Sequence, residues 1–202
     1  MAKDYVTSFF GGDAETQAGR KFNASRKNPS AYTRNDWSVL GNVATTERNG
    51  LTCIIDIDDI ELVRKYIFSP SKEGYWAGKI DRKNAVLHRI IMGANRDEVV
   101  DHANGNKGDN RKCNLRKCTV AQNSWNSGKR RSGTSQYKGV YLRGRRWHAC
   151  IMAHAKTVRL GGFDEEIDAA MAYDEAARKY HGEFAKTNFP LKGEENDVAL
   201  TP

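Results

Sequence analysis

Four polar residues in the middle of the chain could do chemistry together. Asp101 and His102 are adjacent, Asn114 stands 12 positions beyond the histidine, and Asn123 nine beyond that. Hydrolysing a phosphodiester takes a cation to neutralise developing charge and a base to activate water. A carboxylate, an imidazole and amide oxygens supply those parts. Magnesium prefers an octahedron of oxygens, keeps several waters and borrows oxygens from the phosphate, so one Asp and one Asn suffice as protein ligands. An isolated Asp-His pair is usually no more than a satisfied strand end; the spacing to two asparagines is what favours a site. A calcium loop over 101–110 is discarded, because the glycine and the terminal glutamate it requires are missing. Cys113 and Cys118 have half-site spacing for zinc, but no second Cys/His pair follows at a suitable distance.

These residues need a frame. Residues 1–38 show neither a helical nor a strand period and read as an N-terminal extension. Residues 51–55 alternate into a strand, Ile60, Leu62, Val63 and Tyr66 mark one face of a short helix, and 75–80 form a strand. An apolar helix over 86–93 stops at Gly93, where a left-handed cap is expected. Residues 98–102 make a strand that ends on Asp101 and His102, 103–113 make a loop rich in Asn and Gly, and 114–118 return as a strand. Thr119 and Gln122 match a capping box, so a helix starts there and carries Asn123 in its first turns.

Asp101-His102, Asn114-Leu115-Arg116 and Asn123, with Leu87-His88-Arg89-Ile90 upstream and Gly105-Asn106 in the loop, resemble the ββα-metal (His-Me finger) core of phage-type HNH homing endonucleases. The resemblance implies that Asp101 and Asn123 bind Mg2+ (or Mn2+), that His102 is the general base, and that Asn114 holds the loop and orients His102. Asn stands at position 123 where the signature commonly has His, which favours magnesium or manganese over zinc or nickel. For His88, supporting the core, touching the DNA backbone and joining catalysis all stay open. His88 and Arg89 are counted with the DNA contacts.

Residues 128–134 are small, flexible and basic, a linker. Beyond them, 137–141, 147–152 and 157–161 read as three short strands with turns at Gly144 and near Ala155. A helix over 164–181 follows, with Ile167, Ala170, Met171, Asp174, Ala177 and Tyr180 on one face and Gly182 ending it. The strings at 135–141, 159–163, 169–177 and 187–190 resemble the plant Apetala-type (ethylene-response-factor) DNA-binding domain. That family lays a three-stranded sheet in the major groove. Strand alternation within that module turns Lys138, Tyr141, Arg143, Arg145, Arg146, His148 and Arg159 outward as contacts, with Lys138 and the linker's Lys129, Arg130 and Arg131 on phosphate. Lys138 and Tyr141 replace the usual arginines and Cys150 an acidic residue, so the base sequence read should differ. Trp147, Phe163, Tyr173 and Phe189 fall on the inward period and read as core.

Lys and Arg outnumber Asp and Glu by 33 to 25, with the excess after residue 107, a footprint for a polyanion. No stretch approaches the roughly 18 apolar residues of a membrane span, the start lacks a secretory core, and the scattered cysteines suit a reducing compartment. The cytoplasm is expected, that of a bacterial host if the chain is phage-encoded. The fold class is α+β: a ββα-metal nuclease core, then a three-stranded antiparallel sheet packed on one helix. The expected division is an extension at 1–38, the HNH nuclease domain at 39–127, the linker at 128–134, the Apetala-type domain at 135–190 and a tail at 191–202. The activity expected is a metal-dependent endonuclease or nickase, acting as a monomer on double-stranded DNA with no small-molecule cofactor. A sequence-specific regulator with a degenerate nuclease core is the alternative; RNA binding is weaker, lacking a single-strand stacking motif.

Overall fold

The computed structural model describes residues 35–129 and 133–190, which fall into two compact units that meet in the sequence between Thr119 and Val120. Both mix small antiparallel sheets with few helices. Arg130, Arg131 and the tail at 191–202 lie outside the described residues, as do positions 1–34 of the extension. Positions 35–38 belong to the first unit. There the buried Asn35 amide donates to the Phe68 carbonyl at 2.9 Å and accepts from its amide at 2.7 Å.

The first unit opens on a meander of β1 (Ser38–Leu40), β2 (Val43–Arg48) and β3 (Leu51–Asp56). Asn49 and Gly50 turn the β2–β3 hairpin with φ of 55° and 71°, which is why an Asn-Gly pair sits there. After the short helix α1 (Ile60–Val63), a second sheet joins β4 (Phe68–Pro70), β5 (Trp76–Ile80) and β6 (Lys83–Val86), and α2 (Leu87–Ile91) follows. Gly93 takes φ 53° just beyond α2, the left-handed cap expected of a glycine. Cys53, Ile55, Phe68, Trp76, Leu87, Ile91, Val100 and Leu115 pack into one buried core. Val100 and Leu115 seat the hairpin of β7 (Val99–His102) and β8 (Leu115–Cys118) on that core. Burial on this scale is worth roughly 1.5–3 kcal/mol for each large side chain.

In the second unit α3 (Val120–Trp125) leads to the sheet β9 (Val140–Arg143), β10 (Arg146–Ala153) and β11 (Lys156–Phe163), backed by α4 (Glu166–His181). Ala149 and Ile151 of β10 face Ala169, Ala170, Tyr173, Ala176 and Ala177. The alanines let α4 lie close to the strands. Here the sequence expectation needs correction: Ile167 and Met171, placed on the packed face, are 53% and 51% exposed. Trp147, Phe163 and Phe189 do pack against this core, with Tyr173 inside it. Gly139, at φ 76°, leaves room for the Tyr173 ring, which a Cβ would approach to 2.0 Å. Among the described residues no helix is long and apolar enough to cross a membrane.

Candidate active site

The site is built on the β7–β8 hairpin, where His102 lies opposite Leu115 and Asp101 opposite Arg116. Cross-strand neighbours have Cβ atoms about 5 Å apart, close enough for an ion pair. Arg116 accordingly donates from Nε at 3.0 Å and Nη2 at 2.8 Å, both to Asp101 Oδ2. Both partners are largely buried, so the carboxylate already faces a guanidinium.

His102, 3% exposed, closes a small ring cluster. His88 meets it edge-on at 4.9 Å between centroids, and Tyr75 lies 5.3 Å from His88 and 6.0 Å from His102. Burial, then the neighbouring His102 and Arg89, pushes His88 down to about 3; its Nδ1 is buried without a hydrogen-bond partner among the described residues. Burial also lowers His102, against the hydrogen bond to Asn110 and the charges of Asp101 and Asp109. Both rings are therefore neutral near pH 7, the state a general base requires.

The loop between β7 and β8 is held by side chains as well as by backbone turns such as the one at Lys112–Asn114. Asn114 Oδ1 accepts from the Asn104 amide at 2.9 Å and its Nδ2 donates to the Asp109 carbonyl at 2.8 Å. Arg111 binds both oxygens of Asp109, at 2.8 and 2.7 Å. On its far side the loop adds to the edge of β3, with Ile54 N donating to Gly108 O at 2.8 Å and Asn110 N to Ile54 O at 2.7 Å. This fixes Asn110, 0% exposed, whose Oδ1 is 3.3 Å from His102 Nε2.

On the outer face of the second unit's sheet, Tyr141 stacks on His148 at 5.7 Å and 23°. Arg143 and Arg146 stand directly opposite one another, and Arg159 pairs with Cys150 on the same face. Like charges in direct register are destabilising; an anionic partner would offset that. Arg145 lies in the exposed turn beside Gly144, and Lys129 is exposed. Arg146 also meets Asp164 at 3.0 Å in an exposed pair.

No protein-family model matches the chain. Over 145 residues, 69% of this chain and 75% of the relative, it is 30% identical to "Uncharacterized HNH endonuclease L560" of Acanthamoeba polyphaga mimivirus. The chain belongs to the HNH endonuclease family. It is also 49% identical over 70 residues to "APETALA2-like protein 2" of Oryza sativa subsp. indica and 47% identical over 70 to "AP2-like ethylene-responsive transcription factor TOE2" of Arabidopsis thaliana. These two matches take in 34% of this chain but only 16% and 14% of the plant proteins. Together the relatives are consistent with an HNH endonuclease joined to an AP2-type domain.

Within this HNH chain the structure brings Asp101, His102 and Asn114 onto one hairpin and its loop, while Asn123 lies on α3, counted with the second unit. Three assignments made from sequence differ from what is found. His88, expected among the DNA contacts, is 6% exposed and sits inside the ring cluster. Arg89 gives its guanidinium to the carbonyls of Glu98, Asn95 and Arg96 at 2.5, 2.7 and 3.3 Å, where it braces the turn before β7. Lys138 points its ammonium inward, onto the Trp125 carbonyl; burial and then Lys186 push it down to about 8. Asn114 holds the loop as expected, but the asparagine against His102 is Asn110, which sequence reasoning missed. Arg116 was read as part of the Asn114-Leu115-Arg116 string, with no role of its own. Its position opposite Asp101 on paired strands was the available signal.

Proposed function

We propose that this chain is a metal-dependent endonuclease that cuts the phosphodiester backbone of double-stranded DNA. The observation that carries this reading is a buried His102, kept neutral by burial, directly beside the Asp101 carboxylate at the end of one strand, in a chain of the HNH family. His102 would take the proton from water as its oxygen attacks phosphorus in line, and the 3′ or 5′ oxygen opposite would leave. Asp101 would hold the cation that the reaction needs beside the phosphate; in this structure its carboxylate is paired with Arg116.

The donor chemistry fits a hard divalent ion. Among the described residues no three His, Cys, Asp or Glu side chains gather as a cage. An ion held through Asp101, with Asn123 added by the family resemblance, would keep waters and phosphate oxygens as its remaining ligands, as Mg2+ or Mn2+ does. When bound it supplies charge neutralisation at the phosphate. The strand, loop and strand at 99–118 and the helix bearing Asn123 are the proposed ββα-metal core.

The AP2-type module at 135–190 would grip the duplex through Tyr141, Arg143, Arg145, Arg146, His148 and Arg159 and choose the site. Arginine forks onto guanine or phosphate, whereas the linker's Lys129, Arg130 and Arg131 suit phosphate alone. One active site per chain favours nicking by a monomer. The alternative, a DNA-binding regulator with an inactive core, draws on the Arg116–Asp101 ion pair. Supercoiled plasmids carrying a random-sequence insert, incubated with Mg2+ or Mn2+ with and without a chelator, separate the two. Chelator-sensitive open circles are expected; binding with no such product in either metal leaves the regulator.

A further inference from the structure

We infer that Asn110 is the positioning residue that fixes which ring nitrogen of His102 carries the proton. The inference rests on the reading of His102 as general base. Its starting point is the orientation of the Asn110 amide. Nδ2 lies 3.0 Å from the Gly108 carbonyl, 3.4 Å from the Lys107 carbonyl and 3.4 Å from Cys53 Sγ. Backbone carbonyls only accept hydrogen bonds, so the NH2 end must face them and Oδ1 must face His102 Nε2, at 3.3 Å.

An amide oxygen cannot donate. Nε2 must therefore carry the hydrogen, and in the neutral ring the lone pair that receives a proton from water is on Nδ1. The contact is long for a neutral hydrogen bond, as catalytic ones often are before substrate binds.

What makes Asn110 a suitable reference is how tightly it is held. Its own amide and that of Ile54 clamp it to β3, and Cys53, on the same strand, stays a thiol because burial pushes it up to about 12. The core of the first unit thus runs through β3 and Asn110 to the imidazole. Asn114, bonded to Asn104 N and Asp109 O, keeps the same loop closed, and the two asparagines divide between them a task that one was expected to perform.

Long-range 1H–15N correlation spectra of the full chain, with the His102 ring assigned by comparison with His102→Ala, test this directly. The wild-type ring should be the Nε2–H tautomer. Asn110→Leu, of nearly equal volume but without an acceptor, should lose that preference and lower kcat for plasmid nicking on the order of 100-fold at unchanged KM. Asn110→Asp keeps an oxygen toward Nε2 and should hold kcat within about tenfold of wild type. A wild-type Nδ1–H tautomer overturns the inference whether or not the variants fold, and so does a folded Asn110→Leu whose ring and kcat match wild type. If the ring has the expected tautomer but the chain makes no chelator-sensitive nicks, the nuclease reading fails and the role of Asn110 in setting the tautomer stands.

Discussion

Replacing His88 with Phe should flatten the acid sensitivity of the first unit. His88 falls from 6.5 to about 3 on folding, because the ring is 6% exposed, Nδ1 has no partner among the described residues and His102 is at 4.9 Å. A histidine lowered in this way costs the fold nothing above pH 6.5. As the pH drops below that value, protons bind the unfolded chain first and stability is lost progressively until about pH 3. At pH 5 the loss is about 1.5 times 1.36, or about 2 kcal/mol. His102, shifted in the same direction by burial, adds to it. Phenylalanine keeps an aromatic ring against Tyr75 and His102 and removes the titration. Urea unfolding followed through NMR cross-peaks of the first unit, at pH 7.5 and pH 5, gives both free energies. Wild type should lose about 2 kcal/mol more than His88→Phe between the two conditions. Equal losses would mean that the imidazole is solvated in solution, and the neutral, dry cluster around His102 would be refuted.

Other perturbations separate support from recognition. Arg89→Met frees three carbonyls and should lower stability by about 2 kcal/mol with duplex affinity unchanged; a fall in affinity at constant stability would return Arg89 to the DNA contacts. Gly139→Ala drives a Cβ into the Tyr173 ring at a φ of 76° and should cost the second unit roughly 2–4 kcal/mol by thermal unfolding; a change under about 0.5 kcal/mol, the scale of an ordinary surface substitution, would contradict the packing described. Arg143→Ala, Arg146→Ala and Arg159→Ala should each reduce the slope of log affinity against log salt by about 1. An unchanged slope in all three would remove that face as the phosphate-contacting surface.

The sequence displayed the candidate site residues because their spacing is local: Asp101, His102 and Asn114 belong to one hairpin and the loop inside it. The strands at 51–56, 76–80, 99–102 and 115–118 were legible through alternation and their bounding turns. The strands β1 and β2 were missed although Asn49-Gly50, which turns β2 into β3, is a strong hairpin signal, since no run before residue 51 stood out by hydrophobicity. Asn110 could not be found locally. Its role depends on Ile54 and Cys53, more than 50 residues earlier in the chain. The face of α4 was misjudged for a physical reason: alanines, not the larger Ile167 and Met171, make the close contact with the sheet, so a count of bulky apolar residues points the wrong way. Lys138 likewise turns toward a carbonyl 13 positions away, a partner that composition cannot reveal.

The most direct test of the account is His102→Ala, with cleavage and duplex binding measured on the same preparation. Removing the base should lower chelator-sensitive nicking at least about 100-fold while duplex affinity stays within about twofold, an energy of only about 0.4 kcal/mol. Nicking that persists at the wild-type rate would contradict the assignment of His102 and, with it, the active site drawn here.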